Sequence, residues 1–140
     1  MKRVALLGSA LALASILATP AWAQADFAGP WHTNQGNMHI EQRDNHAWGD
    51  YELKDGRVRG DVDGDLFSGI WTQSSSNRRC FDEREGSHYW GRFRLHLDED
   101  RDHFRGRWAY CNDDFGSGGD WTGERLHHHD DRDHYDHDRY

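Results

Sequence analysis

Glycine recurs at the centre of short segments of this chain, between two large residues placed two positions away on either side. The pattern large-x-Gly-x-large occurs at Val58-x-Gly60-x-Val62, Phe67-x-Gly69-x-Trp71, Tyr89-x-Gly91-x-Phe93 and Phe104-x-Gly106-x-Trp108. A weaker copy, Ala47-x-Gly49-x-Tyr51, precedes them, and a degenerate one, Trp121-x-Gly123-x-Arg125, follows. Side chains alternate across a strand with a period of two, so each glycine shares a face with both of its large neighbours. A glycine inside a strand normally weakens it, through lost packing and extra entropy in the unfolded chain. Its regular return predicts curvature: glycine lets a strand bend as a sheet closes and makes room for an aromatic side chain from the next strand. A flat, open sheet is the alternative, but it would present unpaired edges that closure removes.

Read in order, the chain supplies seven or eight strands. Trp31-His32-Thr33 begins the series after a short polar lead-in and turns at Asn34–Asn37. Met38, Ile40 and Gln42 alternate with polar residues, as in a half-buried strand. Lys54-Asp55-Gly56-Arg57 predicts a hairpin with Asp55-Gly56 in the positive-φ positions of a type I′ turn, and Asp63-Gly64 marks another hairpin. Residues 74–87, SSSNRRCFDEREGS, interrupt the rhythm with a long polar loop, a length more often functional or tethered than merely connecting. The strand rhythm resumes at Tyr89, passes an acidic turn at Asp98–Asp102, and ends with a strand from Trp121 to about Leu126. No stretch from Asp26 to Leu126 shows a 3.6-residue apolar period, and every connection is short or reads as a hairpin. The expectation is an all-β, antiparallel up-and-down meander of seven to eight strands, closed or nearly closed into a small barrel over residues 24–126.

The segment before it, residues 1–23, has the layout of a secretory signal peptide. Lys2 and Arg3 lead an apolar run from Val4 to Leu17, and Ala21-Trp22-Ala23 is a small-x-small cleavage site. The uninterrupted apolar run is shorter than the ~20 residues that a membrane span needs. Export to the periplasm or the medium is therefore expected, with no membrane insertion. The 17 basic and 25 acidic residues give a net charge of −8, and loss of Lys2 and Arg3 makes the mature chain more negative still. That charge opposes nucleic acid and anionic lipid. In an oxidising compartment the two cysteines, Cys80 and Cys111, read as one disulfide. Seven tryptophans, all but Trp22 in the mature part, supply the bulk for a core that is thin in aliphatic residues.

The glycine-centred hairpins, with Gly29-Pro30-Trp31 near the mature start, resemble the meander barrels of the avidin and lipocalin-like (calycin) group. The resemblance covers Gly29 to about Leu126 and lies in the style of the strands, with no ligand set that aligns residue by residue. It implies a small barrel that binds something and is not an enzyme by default. The paired cysteines and the loop 74–87 stand outside the avidin pattern.

Three features carry candidate chemistry. The tail 127–140, HHHDDRDHYDHDRY, has too little apolar content to offset the entropy of folding. His127, His128, His129, His134 and His137, with Asp130, Asp131 and Asp133, offer imidazole and carboxylate ligands for zinc, copper or nickel. The alternative is a solvated tail that binds metal only incidentally; no cofactor is required in either case. Arg92, Arg94, Arg105 and Arg107 fall on the outward parity of two successive strands, as a patch for an anionic partner or as a solvated face of cross-strand ion pairs. Trp48 and Trp90 share that parity, either as exposed anchors for a ligand or protein partner or as residues packed beneath the loop 74–87. Asp61-x-Asp63-Gly64-Asp65 lacks the spacing and closing glutamate of a calcium loop and reads as a hairpin turn. Gly-x-Ser-x-Gly, His-Glu-x-x-His and a phosphate loop are all absent from the sequence, and the remaining histidines are scattered. The expected function is an exported, non-enzymatic barrel that binds a ligand or protein. The alternatives are a metal-binding protein acting through its tail, and an inhibitor of an extracellular hydrolase using the disulfide-locked loop.

Overall fold

The computed structural model describes residues 24–127; the expected signal segment and the tail beyond His127 lie outside the described residues. Eight strands form one closed antiparallel barrel in meander order. They are β1 (Gly29–Thr33), β2 (Gly36–Arg43), β3 (His46–Tyr51), β4 (Gly56–Asp63), β5 (Leu66–Thr72), β6 (Trp90–Leu97), β7 (His103–Tyr110) and β8 (Gly119–Arg125). The ring closes where β1 pairs with β8, through Trp31 opposite Arg125, His32 opposite Glu124 and Thr33 opposite Gly123. The expected all-β meander barrel is thus what forms, with the eighth strand present.

The strand glycines point inward and sit where neighbouring strands come closest. Gly60 stands opposite Gly69. A Cβ on Gly60 would lie 1.9 Å from the Ser68 carbonyl oxygen, and one on Gly69 would lie 2.0 Å from that of Arg59. Gly106 is in the same position against the Arg94 carbonyl, at 1.8 Å. These glycines make room chiefly for the next strand's backbone. The expected space for an aromatic side chain occurs at Gly91, against the Trp71 indole, and at Gly123, against the Phe104 ring.

One turn differs from its sequence expectation. β3 and β4 are joined through a single 3-10 turn, Leu53–Asp55, and the positive φ angles fall on Lys54 (49°) and Asp55 (53°). Gly56 is extended, with φ −65°. It is glycine for another reason: a Cβ there would lie 2.1 Å from the Tyr51 ring. The Asp63-Gly64 signal is met one residue on, with Gly64 (φ 59°) as the first of two loop residues between Asp63 and Leu66.

The two ends of the barrel are unlike. At one end short connections join β2 to β3, β4 to β5 and β6 to β7, and the polar-looking lead-in folds across them. The Ala25 N–H donates to the Gly64 carbonyl (3.0 Å). The Phe27 N–H donates to Gln42 Oε1 (2.8 Å), and Gln42 Nε2 donates back to the Ala25 carbonyl (2.9 Å). Arg125 holds the segment from the far side, donating to the carbonyls of Ala28 (2.6 Å) and Asp26 (2.8 Å). This pins Phe27, 0% exposed, inside the barrel beside Phe67 at 5.4 Å between ring centroids. The lead-in is therefore a plug, and the folded part begins ahead of Gly29. From there the core continues through Trp31, Phe104, Phe67 and Phe93 to Trp121.

Candidate functional site

The opposite end carries the two long connections, 73–89 and 111–118, beside the shorter turns from β1 to β2 and from β3 to β4, and stays open. Its inner wall is built by residues near the mouth-side ends of their strands: Tyr51 on β3, Trp71 on β5, Trp108 and Tyr110 on β7, and Trp121 on β8. Their rings meet edge to face, Trp71 with Trp108 at 5.5 Å, Trp108 with Tyr110 at 4.8 Å, and Tyr51 with Trp121 at 5.1 Å between centroids. Such pairs fix one another's orientation beyond simple burial. Between them is a cavity of about 200 Å³, rimmed by Gln35, Leu53, Lys54, Gln73, Ser76 and Asn77.

The polar groups of this wall are unevenly satisfied. The Trp71 indole N–H donates to the Ala109 carbonyl (3.1 Å). Those of Trp108 and Trp121 are buried with no partner among the described residues. A buried unpaired donor costs about 1–3 kcal/mol, so two among the residues around one cavity is a concentration of unmet hydrogen bonding. Gln73 Nε2 donates to the Tyr51 hydroxyl oxygen (3.0 Å), which leaves the phenolic proton free to donate. Burial pushes the Tyr51 phenol well above its ordinary value, against the smaller opposite effect of the Gln73 hydrogen bond, so the hydroxyl stays protonated.

The rim is held by the loop 74–87. Cys80 and Cys111 form the expected disulfide, with Cα atoms 5.6 Å apart, tying the loop to the end of β7. The Cys80 N–H donates to the His88 carbonyl (2.7 Å), and Ser87 Oγ donates to the Gln73 carbonyl (2.7 Å). Ser74 donates through both its N–H (2.9 Å) and its hydroxyl (3.0 Å) to the Lys54 carbonyl.

The expected outer surface is narrower than the sequence suggested. Trp90 faces out of the barrel but is 1% exposed, so it is no contact surface. The loop covers it: its indole N–H donates to the Asp82 carbonyl (2.7 Å), and the Arg84 guanidinium lies 4.7 Å above its ring. Trp48, 40% exposed, remains on the surface and donates to Glu41 Oε2 (2.9 Å). The four arginines share a face, with Arg94 directly opposite Arg107, but they are largely occupied. Arg92 is half-buried and tied to the Asp113 carbonyl, with its guanidinium over Phe115, so it anchors the β7–β8 loop instead of meeting a partner. Arg105 pairs with Asp98 (3.2 Å) and Arg107 with Asp120 (3.6 Å). Arg94 lies 5.6 Å from Phe115 and has no acidic partner among the described residues.

Of the tail ligands, His127 alone is described, with Nε2 3.2 Å from Asp102 Oδ1. His128, His129, His134, His137, Asp130, Asp131 and Asp133 lie outside the described residues. Among the described residues no group of three or more His, Cys, Asp or Glu is placed to hold a metal ion, and Asp61–Asp65 forms the end of a hairpin.

The cavity is the feature that the sequence reading missed. Its residues were legible as inward-facing aromatics, but parity says only which face a side chain takes, and these were assigned to the core. No family model, curated protein or solved structure matches this chain.

Proposed function

We propose that this protein is an exported, non-enzymatic binding barrel that takes a small ligand into the aromatic cavity at its open mouth. The observation that carries this reading is a cavity of about 200 Å³ lined by five aromatic side chains, two of which, Trp108 and Trp121, have buried indole N–H groups with no partner among the described residues. Small-molecule sites are typically concave, mostly apolar and largely preformed, with few polar groups fixing orientation. The Cys80–Cys111 disulfide supports an oxidising compartment, as does the leader-like sequence of residues 1–23. The test is a thermal-shift and tryptophan-fluorescence screen of small ring compounds against the parent, Tyr110→Leu and Trp48→Ala. A stabiliser of the parent should still act on Trp48→Ala and fail on Tyr110→Leu. The reverse pattern would move the site to the outer wall and overturn the cavity reading.

A second reading, inhibition of an extracellular hydrolase, has one observation in its favour. Phe81, next to the disulfide, is 95% exposed on a loop that is otherwise tightly tied down. A rigid loop presenting a large apolar side chain can anchor a protein partner. Phe81→Ala would then remove inhibition without lowering the melting temperature, and unchanged inhibition would exclude this route.

A further inference from the structure

We infer that the mouth cavity selects a single-ring compound bearing a carboxylate, with the ring among the tryptophans and the carboxylate at the lip beside Lys54. This rests on the cavity being the binding site.

Size sets the first limit. An apolar cavity of roughly 150 Å³ is enough to hold benzene. At about 200 Å³ this one has room for one ring and one small substituent, below the roughly 300 Å³ where sites for drug-sized ligands begin. Trp71, Trp108 and Tyr110 meet pairwise near right angles; Trp71 is buried, so the partly buried rings of Trp108 and Tyr110 are the ones a flat guest would meet first.

Charge sets the second. An aromatic cage by itself would suit a quaternary ammonium ion through cation–π attraction. Among the described residues, however, no aspartate or glutamate lines this cavity, and Lys54 is its one charged side chain. The adjacent polar atoms favour donation: two unpartnered indole N–H groups and the free proton of the Tyr51 hydroxyl. The indole N–H groups are sealed from solvent as the rings stand, so they meet a ligand oxygen only if Trp108 or Trp121 turns out of its packed position.

Lys54 is also held in place at a conformational cost. It has φ 49° and ψ 45°, a left-handed conformation uncommon outside glycine and asparagine, and Asp55 beside it is left-handed too. The double hydrogen bond from Ser74 to the Lys54 carbonyl fixes this backbone against the disulfide-tied loop. The loop thus fixes the backbone of the one charged residue that lines a cavity with no acidic residue of its own.

The test compares three probes of one ring each by calorimetry and tryptophan fluorescence: benzoate, benzamide and phenyltrimethylammonium. On the parent, benzoate should bind about three- to tenfold more tightly than benzamide, the range for one partly exposed charge-assisted contact. The cation should bind weakest. Lys54→Gln should bring benzoate down to the benzamide level and leave benzamide unchanged, while Lys54→Arg keeps the preference. Equal binding of benzoate and benzamide by the parent, or tightest binding of the cation, would overturn the carboxylate assignment and leave the cavity as a site. Failure of all three probes to bind would overturn the cavity reading itself.

Discussion

Gly60→Ala is the sharpest test of why glycine recurs in these strands. The new Cβ would start 1.9 Å from the Ser68 carbonyl oxygen and 2.8 Å from the Gly69 Cα. Non-bonded carbon contacts settle at roughly 3.5–4.0 Å, so β4 and β5 must separate by about 1.5 Å at that point. Neither obstacle is a flexible side-chain end; both are backbone of the paired strand. Overpacking of this kind costs about 1–3 kcal/mol, and the stretched ladder hydrogen bonds beside it forfeit about 1 kcal/mol each. The sum is about 3 kcal/mol or more. A domain of about a hundred residues unfolds with an entropy near 0.2 kcal/mol/K, so the melting temperature should fall by about 15 °C. Gly64→Ala, four residues away, is the control. Nothing lies within 4 Å of its Cβ, but its φ is +59°. That conformation costs a non-glycine residue about 1–2 kcal/mol, and asparagine adopts it more readily than alanine. Gly64→Asn should therefore recover stability relative to Gly64→Ala, whereas Gly60→Asn should be no better than Gly60→Ala. Differential scanning calorimetry decides the matter. A Gly60→Ala protein melting within a few degrees of the parent would refute the close-approach account.

The remaining expectations concern the plug, the clamp and a surface pair. Phe27→Ala should cost about 3–5 kcal/mol in chemical denaturation, the range for a buried aromatic truncated to alanine, whereas Trp48→Ala should cost far less. Removing the disulfide as Cys80→Ala with Cys111→Ala opens a loop with a sequence separation of 31, worth about 3–4 kcal/mol in the chain-entropy model, and calorimetry should show the melt falling by about 15–20 °C. The same variant should weaken ligand binding, because Ser76 and Asn77 on that loop line the cavity rim. His103 Nδ1–H donates to Asp100 Oδ2 at 2.7 Å; that hydrogen bond, with the charges of Asp100, Glu124 and Asp98, raises its pKa above 6.5. Asp100 is lowered below 3.8, first by the Asp102 backbone N–H and then by His103. The histidine's contribution is complete below its unfolded value and fades as pH rises through its folded one. The aspartate's is complete above its unfolded value and fades as pH falls, so the pair acts fully between 3.8 and 6.5. An NMR titration should place the His103 midpoint above 6.5 and find it lowered in Asp100→Asn.

The barrel was legible because its signal is local and repeated. A period of two fixes which residues face inward, and short turns fix which strands pair; eight strands in order then leave few ways to pack except closure. The lead-in was not legible, because Phe27 is the one large apolar residue among small and polar neighbours and no period marks it. Only the long-range hydrogen bonds from Gln42 and Arg125 show that it belongs to the core. Trp90 illustrates the same limit from the other side. Its outward parity left two alternatives, an exposed anchor or a residue packed beneath the loop 74–87, and only the path of the loop shows that the second holds.

The cavity differs in kind, because part of its signal lies in the repeat itself. β3, β5 and β7 run from the plugged end toward the mouth, while β6 and β8 run back. In Phe67-x-Gly69-x-Trp71 and Phe104-x-Gly106-x-Trp108 the phenylalanine therefore lies toward the plug and the tryptophan toward the mouth. Tyr51 ends β3 at the mouth, and Trp121 lies near the start of β8 at the same level. Phenylalanine fills most of the closed half, and Trp31, which also lies there, donates its indole N–H to the Phe27 carbonyl (2.9 Å). Tryptophan and tyrosine, each with a hydrogen-bonding handle, gather at the open half, where a guest can meet them. A barrel built only for stability gains nothing from this order, and the indole N–H groups of Trp108 and Trp121 left without partners work against it. The direction of the aromatic gradient, read together with the direction of each strand, supports the mouth as the proposed site.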